Sequence, residues 1–121
     1  MLNAVKGELK IVLSDGVERI WRLNANDMAG IESVLQVRRD KKVSFMQFFG
    51  EVGSWGSDDF RLVLWAGLRH GDASLTEDRV GELFGLDVMF IFQRQFLEWA
   101  ESMIPDSLKK KAVEPVNQSQ E

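Results

Sequence analysis

Alternating apolar and polar positions near the start of the chain predict a β-hairpin. The first strand places its apolar residues at every second position, namely Leu9, Ile11 and Leu13. Asp15 and Gly16 then supply the turn chemistry of a short hairpin loop. The returning strand carries its apolar residues on one side, namely Val17, Trp21 and Leu23. Arg19 interrupts that apolar side.

From Asn26 the period of the apolar positions becomes helical. Asn26 or Asp27 can cap a helix. Its apolar positions are Met28, Ile31, Val34 and Leu35. The charged run Arg38–Lys42 follows, and we interpret it as a solvated connector, with an anion-binding patch as the alternative.

A second helix begins with a complete capping signal. Ser44 and Gln47 form a capping-box pattern. The apolar residues of one helical face follow, namely Phe45, Phe48, Phe49 and Val52. Gly50 weakens this helix and Gly53 is expected to end it.

The next predicted helix is apolar on almost every side, which indicates that it is surrounded by protein. Ser57 is its expected cap, and Asp58 and Asp59 lie near its positive end. His70, the single histidine of the chain, falls in its last turn before Gly71. We expect the imidazole to interact with the carbonyl end of the helix and to have no other role.

Two further helices complete the predicted domain. Thr76 caps a short helix that Gly85 ends, and Asp87 caps a long helix that runs from about Val88 to Ile104, before Pro105. The long helix carries one apolar stripe made of Val88, Phe92, Phe96, Trp99 and Met103. A second stripe on nearly the opposite side consists of Phe90, Leu97 and Ile104, at intervals of seven residues.

These elements predict a single α+β domain over residues 1–105. It consists of an N-terminal antiparallel β-hairpin followed by a bundle of four to five helices. Residues 106–121 are polar and are predicted to form a flexible C-terminal tail.

Composition narrows the classes of function. The formal net charge is −4 without a basic patch, so we expect no nucleic-acid partner. No apolar run reaches the roughly 20 residues of a membrane span, and the first residues lack the core of a signal peptide. Cysteine is absent, which fits a reducing cytoplasm. Eight Phe and four Trp without a single Tyr favour packing and contact surfaces over polar catalysis.

The residues that catalysis or metal binding would require are mostly missing. A Ser-His-Asp arrangement would have to recruit His70 from a helix end, and Asp72 is the nearest potential co-ligand for a metal. We therefore expect no enzyme activity, no cofactor and no metal site. A His70 ring that held a metal ion, or paired with a buried acid inside a pocket, would contradict this interpretation.

The remaining feature is apolar surface. The second stripe, Phe90, Leu97 and Ile104, is either covered within the domain or exposed as a docking strip for a partner. Phe45, Phe48 and Phe49 raise the same alternatives. The candidate partner-binding residues are Phe90, Leu97, Ile104, Phe45 and Phe49.

The segment "RLVLWAGLRHGDASLTEDRVGELFG", Arg61 to Gly85, resembles a family of small proteins encoded in gene transfer agent and siphophage tail modules. The family comprises tail assembly chaperones, also described as tail tube proteins. The leading "GE" strand and the "DG" turn also fit the resemblance, although relatives often carry more than one histidine after "LWAGL".

The resemblance implies a chaperone in the bacterial host cytoplasm that keeps the tape-measure protein soluble and helps to recruit tail tube subunits. The alternative is a tail tube or tail-completion subunit that stays in the particle. Self-association into a homo-oligomer is a further hypothesis. The "KKK" run, Lys109–Lys111, is a candidate site of ribosomal frameshifting, with a solubilising basic tail as the alternative.

Overall fold

A two-stranded antiparallel hairpin followed by five α-helices forms the part of the chain, residues 7–105, that this computed structural model describes. The elements are β1 (Leu9–Val12), β2 (Glu18–Trp21), α1 (Ala25–Arg39), α2 (Phe45–Gly50), α3 (Ser57–Leu68), α4 (Glu77–Glu82) and α5 (Leu86–Met103). The predicted α+β class is confirmed. The predicted tail, 106–121, and its "KKK" run lie outside the described residues. Of the helices within 7–105, none combines the length and apolar character that a membrane crossing demands.

The hairpin forms where the alternating pattern predicts it. Leu9 pairs with Trp21, and both are buried, as are Ile11 and Leu13. Gly16 adopts φ 77°, which a glycine reaches without steric cost, and its N–H donates to the Leu13 carbonyl.

Val17 departs from the pattern predicted for the second strand, and the contacts of Arg19 explain why it interrupts that pattern. Val17 is 48% exposed, so its predicted place on the apolar side is wrong, because it belongs to the turn rather than to the paired strand. Arg19 interrupts the apolar side because it binds the Asp15 carboxylate through two hydrogen bonds. Arg19 and the Val17 N–H lower the pKa of Asp15 to about 2.

Two of the five predicted helix caps are exact, and the other three lie one to three residues after the observed caps. Ser44 and Thr76 accept the predicted backbone hydrogen bonds from Gln47 and Arg79. The other three predicted caps are wrong, since Asn24, Gly56 and Gly85 cap α1, α3 and α5. In α1 and α3 the carboxylate three residues after the cap accepts a hydrogen bond from the backbone N–H of the cap residue. Asp27 and Asp59 therefore stabilise the first turn of these helices without being the caps themselves.

The predicted helix ends also shift. The second helix ends at Gly50, and residues Val52–Ser54 form a short 3₁₀ turn before Trp55. Gly85, which was expected to end the short helix, instead begins α5.

The charged run Arg38–Lys42 is only partly the predicted solvated connector, since its exposed second half, Asp40–Lys42, follows α1 and its first half lies within that helix. Arg38 and Arg39 form the last turn of α1, and Asp40 ends the helix with a left-handed φ of 54°. Arg38 binds Glu77 at 2.8 Å, and Arg39 binds Glu51 at 2.9 Å. These ion pairs connect α1 to the segments that begin α4 and follow α2.

Trp21 is the centre of the core. Its fully buried indole makes edge contacts with Phe92, Phe96 and Trp99, at centroid distances of 5.3, 5.9 and 5.1 Å. The indole N–H donates to the Val63 carbonyl in α3 at 3.0 Å. This one side chain therefore connects the hairpin to both α3 and α5.

The long helix α5 buries its predicted first stripe, with one exception. Val88, Phe92, Phe96 and Trp99 are buried. Met103 is 43% exposed, so its predicted burial is wrong. It lies in the last turn of α5, where its thioether packs near Gly7 and its remaining surface borders an open groove.

Gly67→Ala tests how closely Trp21 approaches α3. A methyl group at Gly67 would overlap the Trp21 indole, so we expect the free energy of unfolding to fall by at least about 2 kcal/mol. Gly30→Ala in α1 is the control, since no atom lies within 4 Å of its added Cβ. That control should leave stability unchanged or raise it by up to about 1 kcal/mol. Urea unfolding of both variants measures the difference, and equal stabilities would contradict this packing.

Candidate functional site

The second stripe of α5 lies on the surface. Phe90, Leu97 and Ile104 are 64%, 43% and 41% exposed. Phe90 and Leu97 border a shallow depression of about 330 Å³, together with Gln93, Arg94, Glu98 and Glu101. We call Phe90, Leu97 and Ile104 the α5 strip. Within the described residues these side chains are not covered, and their role in docking a partner stays a prediction.

A second apolar surface lies where the start of α1, α2 and the end of α5 meet. This open groove of about 150 Å³ is lined by Met28, Phe45, Met46, Phe49, Trp99, Ala100, Met103 and Ile104. All eight side chains are apolar, and they include three of the five methionines in the chain. We call this surface the methionine groove.

The five predicted partner-binding residues divide between these two surfaces. Phe90 and Leu97 lie on the α5 strip, and Phe45 and Phe49 line the methionine groove. Ile104 lines the groove and belongs to the strip by its spacing from Leu97. Phe45 is 6% exposed, so it contributes a wall of the groove rather than a projecting side chain. Phe49 is half-buried, with its ring against Phe96 at a centroid distance of 5.6 Å.

The sequence reasoning did not identify the methionines of the groove. Met28 and Met103 were expected in the core, and Met46 was not singled out because it lies off the phenylalanine stripe of α2. Met46 is 72% exposed. An exposed methionine beside an aromatic stripe was the available signal, but the groove joins three helices that are distant in sequence.

The expectation that His70 interacts only with a helix end is wrong. Its Nε2 lies 2.5 Å from the carboxylate of Asp27, a residue 43 positions away whose side chain is 1% exposed. His70 thus pairs with a buried acid, which is half of the condition that would contradict our interpretation. The cleft beside this pair, about 230 Å³, is lined by Asp27, Trp65 and Arg69 among others, but not by His70.

The Asp27 carboxylate joins the beginning of α1 to the end of α3. It accepts hydrogen bonds from the Asn24 N–H at 2.9 Å and from Arg69 at 3.0 Å, in addition to its contact with His70. Burial raises the pKa of Asp27, but the Asn24 N–H, His70 and Arg69 outweigh burial and hold that pKa below its ordinary value. A buried carboxylate with three partners is a structural anchor.

The chemistry around this anchor is limited. An oriented imidazole is one component of nucleophilic catalysis, which also requires a hydroxyl or thiol within hydrogen-bond reach. Within residues 7–105, Asp27 is the single hydrogen-bond partner of the His70 ring. In the same part of the chain, no three acidic, histidine or cysteine side chains cluster as metal ligands.

Comparisons of the chain with protein-family models, with curated proteins and with solved structures find no match. The arrangement of residues is therefore the basis for a functional proposal, together with the resemblance carried by Arg61 to Gly85.

Asp27→Asn tests the anchor, with Asp59→Asn as a matched control. Both carboxylates accept the N–H of a helix cap and pair with an arginine, since Asp59 lies 3.5 Å from Arg39. Asp27 is the more deeply buried of the two and also holds His70. We expect Asp27→Asn to lower the free energy of unfolding at pH 7 by about 2 kcal/mol, and Asp59→Asn by less than about 1 kcal/mol.

The cost of Asp27→Asn should also depend on pH. Because folding lowers the pKa of Asp27, its ionised form stabilises the fold above the unfolded pKa of about 4. That stability is lost as the pH falls through the lower folded pKa. Urea unfolding between about pH 7 and pH 3 should show the difference from wild type shrinking with acid. A difference that is constant with pH would contradict this assignment.

Proposed function

We propose that the protein is a tail assembly chaperone of a phage, prophage or gene transfer agent. In this role it acts without catalysis in the bacterial host cytoplasm, binds apolar helical segments of the tape-measure protein and helps to recruit tail tube subunits. The observation that carries the proposal is the methionine groove. The resemblance of Arg61 to Gly85 to this family is the second support.

The lining of the groove suits apolar segments of varied sequence. Methionine side chains are flexible and polarisable, so they adapt to partners of different shape. Met28, Met46 and Met103 come from three different helices and line the groove together with Phe49. An amphipathic helix presents apolar anchors three, four and seven residues apart, which is the usual way in which a helix occupies such a groove.

The groove and the resemblance are independent arguments. The resembling segment forms α3 and α4, whereas the groove is lined by residues of α1, α2 and α5 and by Ile104. The segment therefore supports membership of the family, and the groove supports the binding of apolar segments.

The alternative function is a structural tail tube or tail-completion subunit. Tube subunits generally polymerise through extended β-structure, whereas the described residues contain one hairpin with strands of four residues each. This favours the chaperone. Mass spectrometry of purified particles separates the two, because a chaperone should be absent and a structural subunit abundant.

Binding of tape-measure peptides tests the proposed function. The probes are overlapping peptides of about 25 residues that cover the tape-measure protein encoded in the same gene cluster, each long enough for several helical turns. We expect at least one to bind, and Met46→Asp to weaken its binding by about tenfold, since a charge would have to be desolvated in the groove. Fluorescence anisotropy measures the affinity.

Val37→Asp is the matched control for Met46→Asp. Val37 is 82% exposed on α1 and does not line the groove, so its substitution should leave peptide binding unchanged. Equal effects of the two substitutions, or a gene cluster without a long helical tape-measure protein, would refute the proposal.

His70→Ala separates a structural role of the imidazole from a functional one. We expect the free energy of unfolding to fall by about 1 to 2 kcal/mol, because the substitution removes one hydrogen bond to the buried Asp27 carboxylate. Peptide affinity should not change, since His70 does not line the groove. A loss of peptide binding in a variant with unchanged folding would reopen the question of a site at His70.

A further inference from the structure

We propose that the α5 strip is a self-association surface through which two copies of this chain pair their α5 helices in antiparallel orientation. Leu97 lies at the two-fold axis, Phe90 packs against Ile104 of the second copy, and Arg94 binds Glu101 of the second copy. This interface shares Ile104 with the methionine groove, but it does not depend on the proposed function.

The first argument is the spacing of the exposed apolar residues. Phe90 and Ile104 each lie seven residues from Leu97, a separation of about 10 Å along the helix axis. Leu86, 65% exposed, falls on the same face one turn before Phe90. Apolar residues at intervals of seven supply one of the two seam positions in each heptad, and Arg94 and Glu101 occupy the other. On α5 this seam is exposed, while the other apolar stripe is buried on Trp21.

The second argument is charge. Arg94 and Glu101 border the strip and are exposed, and neither belongs to an ion pair among the described residues. Arg94 lies three residues before Leu97 and Glu101 four residues after it. A two-fold axis at Leu97 therefore brings the arginine of each copy beside the glutamate of the other, twice in one interface. A parallel pair would instead place like charges together.

The third argument identifies the occupant. A two-fold interface uses the same surface on both copies, so that surface must be complementary to itself. On α5 the apolar residues and the opposite charges lie at nearly equal distances on either side of Leu97. An unrelated segment would not require this symmetry, so the pattern favours a second copy. The seam is short, about 20 Å between Phe90 and Ile104, which is typical of a weak interface with micromolar affinity.

Sedimentation equilibrium of the full 121-residue chain tests the proposal. Between about 10 and 500 µM the average mass should rise from one copy towards two. Leu97→Asp should remain a monomer over that range, because it places two carboxylates at the centre of the seam. Val37→Asp, on an exposed position of α1, should associate as the wild type does.

Exchanging the charges of Arg94 and Glu101 tests the proposed contact between the two copies most directly. Arg94→Glu and Glu101→Arg should each weaken association by about tenfold, and the double variant should restore it. The two side chains are seven residues apart on one helix, about 10 Å along its axis, so restoration requires contact between copies.

Three results would overturn the proposal. They are a wild-type monomer at every concentration, association that survives Leu97→Asp, or a double variant that does not recover. If the wild type is a monomer, the strip is instead a surface for a segment of a different protein. Met46→Asp, which tests the groove, should leave association unchanged, so failure of the proposed function and failure of this inference are distinguishable.

Discussion

The buried position of the Trp21 indole is the constraint on which the rest of the structure depends. The indole lies against Gly67, bonds to the Val63 carbonyl and contacts three aromatic rings of α5. An indole buried in this way fixes the hairpin on α3 and α5 together, because its N–H must keep a partner and its rings must keep their packing. Since this contact takes one face of α5, the opposite face turns outward. The exposed strip is thus a consequence of the core.

A second constraint is the buried carboxylate of Asp27. It holds the beginning of α1 to the end of α3 through Arg69 and His70. The next residue is Met28, which lines the methionine groove. The ion pair therefore lies next to one wall of the groove, although its own charged groups lie outside the groove. The histidine and the buried acid thus join two helix ends that are distant in sequence.

The two apolar surfaces differ in chemistry. The methionine groove is concave and entirely apolar, which fits side chains that enter from a partner. The α5 strip is flanked by Arg94 and Glu101, and in the proposed pair of α5 helices these charges fix the orientation of the two copies. The two surfaces meet at Ile104, so a partner bound at one surface lies close to the other. An aromatic content without tyrosine hydroxyls suits both surfaces, because neither depends on polar groups of the rings.

The sequence by itself determined the features that depend on neighbouring residues. These are the hairpin turn, the existence of every helix, the caps at Ser44 and Thr76, and the two stripes of α5, because periodicity and capping act within a few residues. Tertiary structure decided what distant segments do to one another. It brought His70 to Asp27 and joined methionines of three helices into a groove. Such contacts depend on how the helices pack, and no local pattern records which side chains will meet across that packing.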